Sequence, residues 1–229
     1  LTVTGVYDID ADASAIDESW MSISGGFGKV VLGQNDGVGD TYTMDESDLI
    51  QEDEAPFQTD SATVAVNSEL YSGSGDANKI AYHLPAMGGL KAGISYTDNG
   101  TNSTTGDQDT IEIGAQYTID AGGASITIGG ATVNTEQVSG TVDKESSNVG
   151  VSITSGNITA KVAQATYEAT NADEEANGVG VKFKISDAMS LGAYTVKVED
   201  STGTTDEEYT NTGAEVTYAI ASGLTAHFN

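Results

Sequence analysis

Eleven carboxylates fall between residues 36 and 77 with no lysine or arginine among them: Asp36, Asp40, Asp45, Glu46, Asp48, Glu52, Asp53, Glu54, Asp60, Glu69 and Asp76. Acids crowded in this way can ligate a hard cation, attract mobile cations, or share protons in acid–base chemistry. The densest runs are Asp45-Glu46-Ser47-Asp48 and Glu52-Asp53-Glu54. Asp45, Asp48, Glu52 and Asp53 could hold calcium, but their spacing matches no EF-hand, and a solvated acidic face is the alternative. Catalysis has little support. Paired carboxylates follow from the overall acidity, His83 and His227 are far apart in sequence, and no nucleophile motif or phosphate-cradling glycine loop is present. No enzymatic activity is expected. Apolar residues such as Val38, Tyr42, Met44, Leu49, Phe57 and Leu70 punctuate the acids, which predicts a folded segment packed against a surface rather than a free tail.

The elements that carry this segment read as strands. The chain has 229 residues, 38% of them apolar, with 28 Gly and only 2 Pro. Its apolar residues never form a run long enough for a spanning helix and show no sustained helical period. The absence of cysteine removes disulfides and thiolate metal sites. The 35 Asp+Glu against 8 Lys, with no arginine, give a formal charge of -27, which argues against nucleic acid as a partner. Leu1 opens directly into a strand-like stretch, and 223–229 stops as though within a strand, so the chain reads as cut at both ends.

Alternation and turn signals predict 13 strands, at 1–9, 18–24, 28–35, 78–87, 90–97, 109–119, 124–134, 147–154, 158–169, 177–186, 189–199, 209–220 and 223–229. Short connections alternate with long polar ones at 10–17, 36–77, 98–108, 135–146, 170–176 and 200–208. That two-ended rhythm is the habit of an up-and-down membrane barrel. The faces agree: Ile80, Tyr82 and Leu84 oppose Lys79 and His83, and Val181, Phe183 and Ile185 oppose Lys182 and Lys184. Glu112 and Glu215 also lie on polar phases. On the same reasoning Tyr194, Val196 and Val198 form an apolar phase with Lys197 opposite. Tyr96, Tyr117, Tyr194 and Trp20 are candidates for aromatic girdles. A one-sided sheet of a soluble protein would show the same alternation, so the loop rhythm carries the membrane reading.

Three segments resemble the Gram-negative trimeric porins, most closely the alphaproteobacterial branch. Asp17-Glu18-Ser19-Trp20 through Gly33-Gln34-Asn35-Asp36-Gly37 is similar to the hairpin leading into that family's constriction loop. Gly75-Asp76-Ala77-Asn78-Lys79 through Gly93-Ile94-Ser95-Tyr96 resembles the strand pair after it, and Gly213-Ala214-Glu215 through Gly223-Leu224-Thr225 a late hairpin. The resemblance implies an all-β, transmembrane, antiparallel up-and-down β-barrel, sixteen-stranded when complete, in one domain over 1–229, with 36–77 as the inward loop after the fifth strand. Two strands would then be missing at the start and one at the end. It further implies an outer-membrane homotrimer in contact with lipid, with no cofactor, passing ions and small hydrophilic solutes by passive diffusion. Asp36, Asp40, Asp45, Glu46, Asp48, Glu52, Asp53 and Glu54 would form the acidic side of the constriction, and Lys79, Lys182, Lys184, Lys197 and Gln34 the lumen wall. The family often has arginine where Gln34 stands, so a weak basic wall and cation preference are expected. The rival reading is an acidic, calcium-binding, β-rich surface or adhesin protein.

Overall fold

The computed structural model describes residues 1–10, 15–45, 49, 74–98, 107–137, 142–170, 172–201, 207–222 and 224–228. Thirteen strands form one antiparallel sheet in which every strand pairs with its chain neighbours. They are β1 (Thr2–Asp10), β2 (Ala15–Gly25), β3 (Gly28–Gln34), β4 (Asn78–His83), β5 (Leu90–Asp98), β6 (Asp107–Ala121) and β7 (Ala124–Gln137). Then follow β8 (Lys144–Ser155), β9 (Ile158–Ala169), β10 (Ala172–Lys184), β11 (Met189–Asp200), β12 (Glu207–Ala221) and β13 (Leu224–Phe228). A single helical turn, α1 (Val38–Tyr42), interrupts the series after β3. This is the wall of an all-β, up-and-down barrel.

Most of the tight turns cluster at one end of the strands. The exception is between β9 and β10, where the long connection expected at 170–176 shrinks to two residues because Ala169 and Ala172 pair directly and the ladder runs on through the polar stretch. Gly122 and Gly123, both at positive φ (60° and 90°), form the two-residue link between β6 and β7. Two consecutive left-handed residues match the twist of the paired strands, and only glycine adopts them without strain. β4 ends at His83, four residues sooner than alternation suggests, and Pro85 follows it, because proline cannot donate to a ladder. At the opposite end β6, β8, β10 and β12 run farther into polar sequence than their hydrophobic pattern predicts. Polar cross-strand contacts continue there, such as Asn134 Nδ2 donating to Glu145 Oε1 at 3.1 Å.

Directly opposed residues of an antiparallel pair share a face, so the registers carry one face around the whole sheet. The face touched by α1 is the interior. The other carries a continuous apolar band, including Leu32, Ile94, Ile113, Val149, Phe183 and Tyr218, each more than a third exposed. An apolar surface of that extent is stable facing lipid and not facing water.

The registers correct the phase read for β11 and the faces assigned to Gln34 and Trp20. Gly180 stands opposite Tyr194 and Asn177 opposite Lys197, so Tyr194, Val196 and Val198 face inward and Lys197 faces outward. Lys197 bonds there to Glu199 and Glu208 at 2.7 and 2.9 Å. Gln34 pairs with Ser19, on the outer phase of β2, and accepts from its hydroxyl at 3.1 Å. Trp20 lies opposite Gly33 on the inner phase, where it packs against Val31, Val38, Tyr42 and Ala81. On β11 a shift of one residue exchanges the two faces, and register is a property of the pair rather than of either strand.

Candidate pore constriction

After Gln34 the chain leaves the wall and crosses the interior. Val38 N–H donates to Ser95 Oγ on β5 at 3.0 Å, and Gly39 N–H to Glu112 Oε2 on β6 at 3.0 Å. These two bonds satisfy the first free N–H groups of α1, whose N-cap Gly37 has no side chain to do so. Tyr42 lies over Gly114, and its hydroxyl meets Nδ1 of His83 at 3.1 Å. Asn148 on β8 accepts from Met44 N–H at 2.7 Å and donates to Met44 O at 2.8 Å. Lys161 Nζ on β9 donates to Asp45 O at 2.9 Å. The segment 37–45 therefore spans the inner wall from β5 to β9.

Glycine makes that crossing possible. A Cβ on Gly114 would stand 2.8 Å from Tyr42 Cβ, one on Gly150 2.6 Å from Met44 Cβ, and one on Gly93 3.2 Å from Val38 Cγ2. Each is on an inner phase in mid-strand, where a glycine marks the close approach of another backbone. That signal was present in the sequence. Glu112, Ser95 and Asn148 carried no comparable signal, since their partners on the inbound segment are 57 to 104 residues away along the chain.

The returning limb meets the same wall. Ser74 donates to Glu112 Oε1 through its N–H (2.9 Å) and its hydroxyl (2.6 Å). Lys79, 5% exposed, donates to the carbonyls of Asn35 and Gly75. Lys79 thus lies on the inner face but fastens the roots of the loop. Lys182 and Lys184 also face inward, on β10, where Lys184 pairs with Asp187 of the adjacent tight turn at 2.8 Å. The hydrogen bond from Lys184 holds the Asp187 carboxyl below its usual range.

Of the acids assigned to the constriction, Asp36 and Asp40 are exposed at the start of the crossing, and Asp45 is buried at its far end. Glu46, Asp48, Glu52, Asp53 and Glu54 lie outside the described residues, as do three of the four acids considered for calcium. Among the described residues, the acids close enough to share a metal ion are Glu18, Asp36 and Asp76, with oxygens within 4.8 Å of one another. Burial and then repulsion from Asp40, Asp76 and Glu18 raise the Asp36 carboxyl above its ordinary 3.8, against the pull of Lys79. Burial raises the Tyr42 phenol.

A cavity of about 550 Å³ borders this crossing. Glu18 and Asp36 line it at the loop-root end, and Lys29, His83 and Lys91 toward the tight turns. Lys29 and Gln34 stand near opposite ends of β3, so the two groups of charge are roughly 16 Å apart along the strands at ~3.3 Å per residue. Glu18, Lys29, His83 and Lys91 were absent from the site expected from the sequence, although Lys29 and Lys91 lie on readable polar phases.

An antiparallel wall with an apolar outer face, crossed inside by a folded, charged segment, is the arrangement of a channel protein of the outer membrane. A family model described as Gram-negative porin matches residues 4–229, and the chain belongs to that family. It is an outer-membrane porin. Its fold is similar to a porin refined at 1.8 Å resolution, with TM-score 0.63, 16% identity, and coverage of 98% of this chain and 83% of that one. It is also similar to the loop L8 deletion mutant of OmpT, an outer membrane protein of Vibrio cholerae (TM-score 0.61, 18% identity, 91% and 70% covered). OccAB4 of Acinetobacter baumannii gives TM-score 0.61 at 11% identity, with 93% and 59% covered. No curated protein sequence matches the chain.

Proposed function

We propose that this porin is a cation-preferring diffusion channel for ions and small hydrophilic solutes, assembled as a homotrimer in the lipid of the outer membrane. The observation that carries the preference is the placement of charge at the crossing. Asp36 and Asp40 are exposed there beside Glu18 and Asp76. Lys79 is drawn into the backbone of the loop roots, and Lys197 lies on the outer wall. The basic residues left to line the cavity are Lys29 and Lys91, with His83, and the chain has no arginine to supplement them. Carboxylates beside a narrow aqueous path lower the energy of a passing cation and raise that of an anion. Passage is by diffusion and needs no catalytic step. A trimer form of OmpT from Vibrio cholerae, with TM-score 0.60 and 17% identity, supports the assembly. Reversal potentials across planar bilayers under a potassium chloride gradient test the reading. Cation selectivity at neutral pH is expected, and anion selectivity would overturn it.

A further inference from the structure

We infer that Glu112 is the positioning residue of the constriction, one carboxylate that clasps both limbs of the inward loop and holds them across the lumen. The inference rests on the channel reading above for its functional meaning, and on the hydrogen bonds of one buried side chain for its substance.

Glu112 is 1% exposed, on the inner face of β6. Its Oε2 accepts from Gly39 N–H (3.0 Å) on the inbound limb and from Ser95 Oγ (3.1 Å) on β5. Its Oε1 accepts from the N–H (2.9 Å) and the hydroxyl (2.6 Å) of Ser74 on the returning limb. Four donors from three segments converge on two oxygens. An ionised carboxylate is the side chain suited to this, because it only accepts and offers about four lone-pair sites. Bonds to a charged acceptor are also stronger than neutral ones. Ser95 extends the clasp, since its oxygen receives Val38 N–H while its proton goes to Glu112.

Two neighbours are shaped to the same purpose. A Cβ on Gly37 would stand 1.6 Å from Glu112 Oε2, so a glycine is needed where the inbound limb passes the carboxylate. Lys79 attracts Glu112 electrostatically and donates to Asn35 O on one limb and Gly75 O on the other. The buried anion and the buried cation therefore tie the same two limbs at successive points. Burying a carboxylate against a channel wall is costly unless it is well paired, and here the hydrogen bonds from Gly39 and Ser74 of the loop and from Ser95 of β5 supply that pairing.

Amide hydrogen exchange of the whole protein in detergent micelles tests the clasp, read beside single-channel conductance. In Glu112→Gln one acceptor oxygen becomes an NH2 group facing two donors. The amides of Gly39 and Ser74 are then expected to exchange about tenfold faster, while those of β6 and β7 hold their wild-type rates. Conductance is expected to become noisier and its mean to rise as the limbs leave the lumen. Wild-type exchange at Gly39 and Ser74, or exchange that quickens equally throughout the barrel, would overturn the inference, as would unchanged conductance. Should Glu112→Gln fail to assemble, Ser74→Ala removes one donor and leaves the carboxylate intact. It should quicken exchange at Ser74 and Gly39 by a smaller factor, and wild-type rates there would sink the clasp. If the wild-type protein conducts nothing, the channel reading fails, and the exchange measurement still decides whether Glu112 holds the loop.

Discussion

The inner wall has two sectors built on different principles. Beneath the crossing segment, from β5 to β9, it is made of glycine and hydrogen-bonding side chains: Gly93, Gly114 and Gly150 leave room, while Ser95, Glu112 and Asn148 bind backbone groups of the loop. From β9 to β12 the same face carries an apolar patch, with Ala165, Ala176, Tyr194, Val196 and Val198 buried together and Tyr167 and Tyr209 packed against them. In the first sector specificity comes from satisfying particular donors; in the second, cohesion comes from area removed from water. The comparison teaches that the interior of this porin is not uniformly polar. A lumen-facing position is filled according to what lies against it.

Replacing Val196 with Asp should separate the sectors most sharply. Val196 is fully buried, and an unpaired polar group there should cost about 3 kcal/mol or more. Urea unfolding from lipid vesicles would measure this, and a variant as stable as wild type would show that the sector is open to water. A smaller effect is expected on the glycine side. Gly150→Val would press on Met44 and on the Val162 carbonyl, costing about 1–3 kcal/mol by overpacking and changing conductance as the loop is lifted. Unchanged conductance would mean that the loop does not lie on this wall.

The smallest effect concerns Asp36. Its carboxyl is raised by burial and by Asp40, Asp76 and Glu18, so the folded state disfavours the ionised form. Its contribution to stability is therefore present below the ordinary 3.8 and is lost as pH rises through the raised value. Asp36→Asn should be slightly more stable than wild type at pH 7 and lose that advantage on acidification. Unfolding curves at pH 7 and pH 4 would check the sign. An advantage that grows on acidification would show that the acids do not repel one another at the loop root.

Much of this was legible in the chain. Thirteen strands, most of the alternation of tight and long connections, and the apolar outer phases of β4, β6 and β10 follow from local pattern, because strand period and turn chemistry act over a few residues. The connection expected at 170–176 fails because β9 and β10 stay paired through polar sequence. The long acidic segment announced itself through carboxylates interleaved with apolar anchors, and Val38, Tyr42 and Met44 do pack as such. The phase of β11 was misread for a physical reason: Tyr-Thr-Val-Lys-Val alternates cleanly whichever face is inside, and only the pairing of Gly180 with Tyr194 chooses between them.

The sequence by itself determined antiparallel strands with the connection rhythm of a membrane barrel and a long acidic segment packed against a surface, since composition, period and connection length are local quantities. The inward course of that segment was implied by the resemblance to the porins. Tertiary structure alone decided which residues hold that loop in place. Glu112 receives Gly39 from 73 residues before it and Ser74 from 38, and it becomes a clasp only when the sheet brings β6 beneath both limbs. Side chains that look alike in sequence, such as Lys79 and Lys197, then part into a buried fastening and an outward-facing ion pair, because each is defined by the strand that comes to lie beside it.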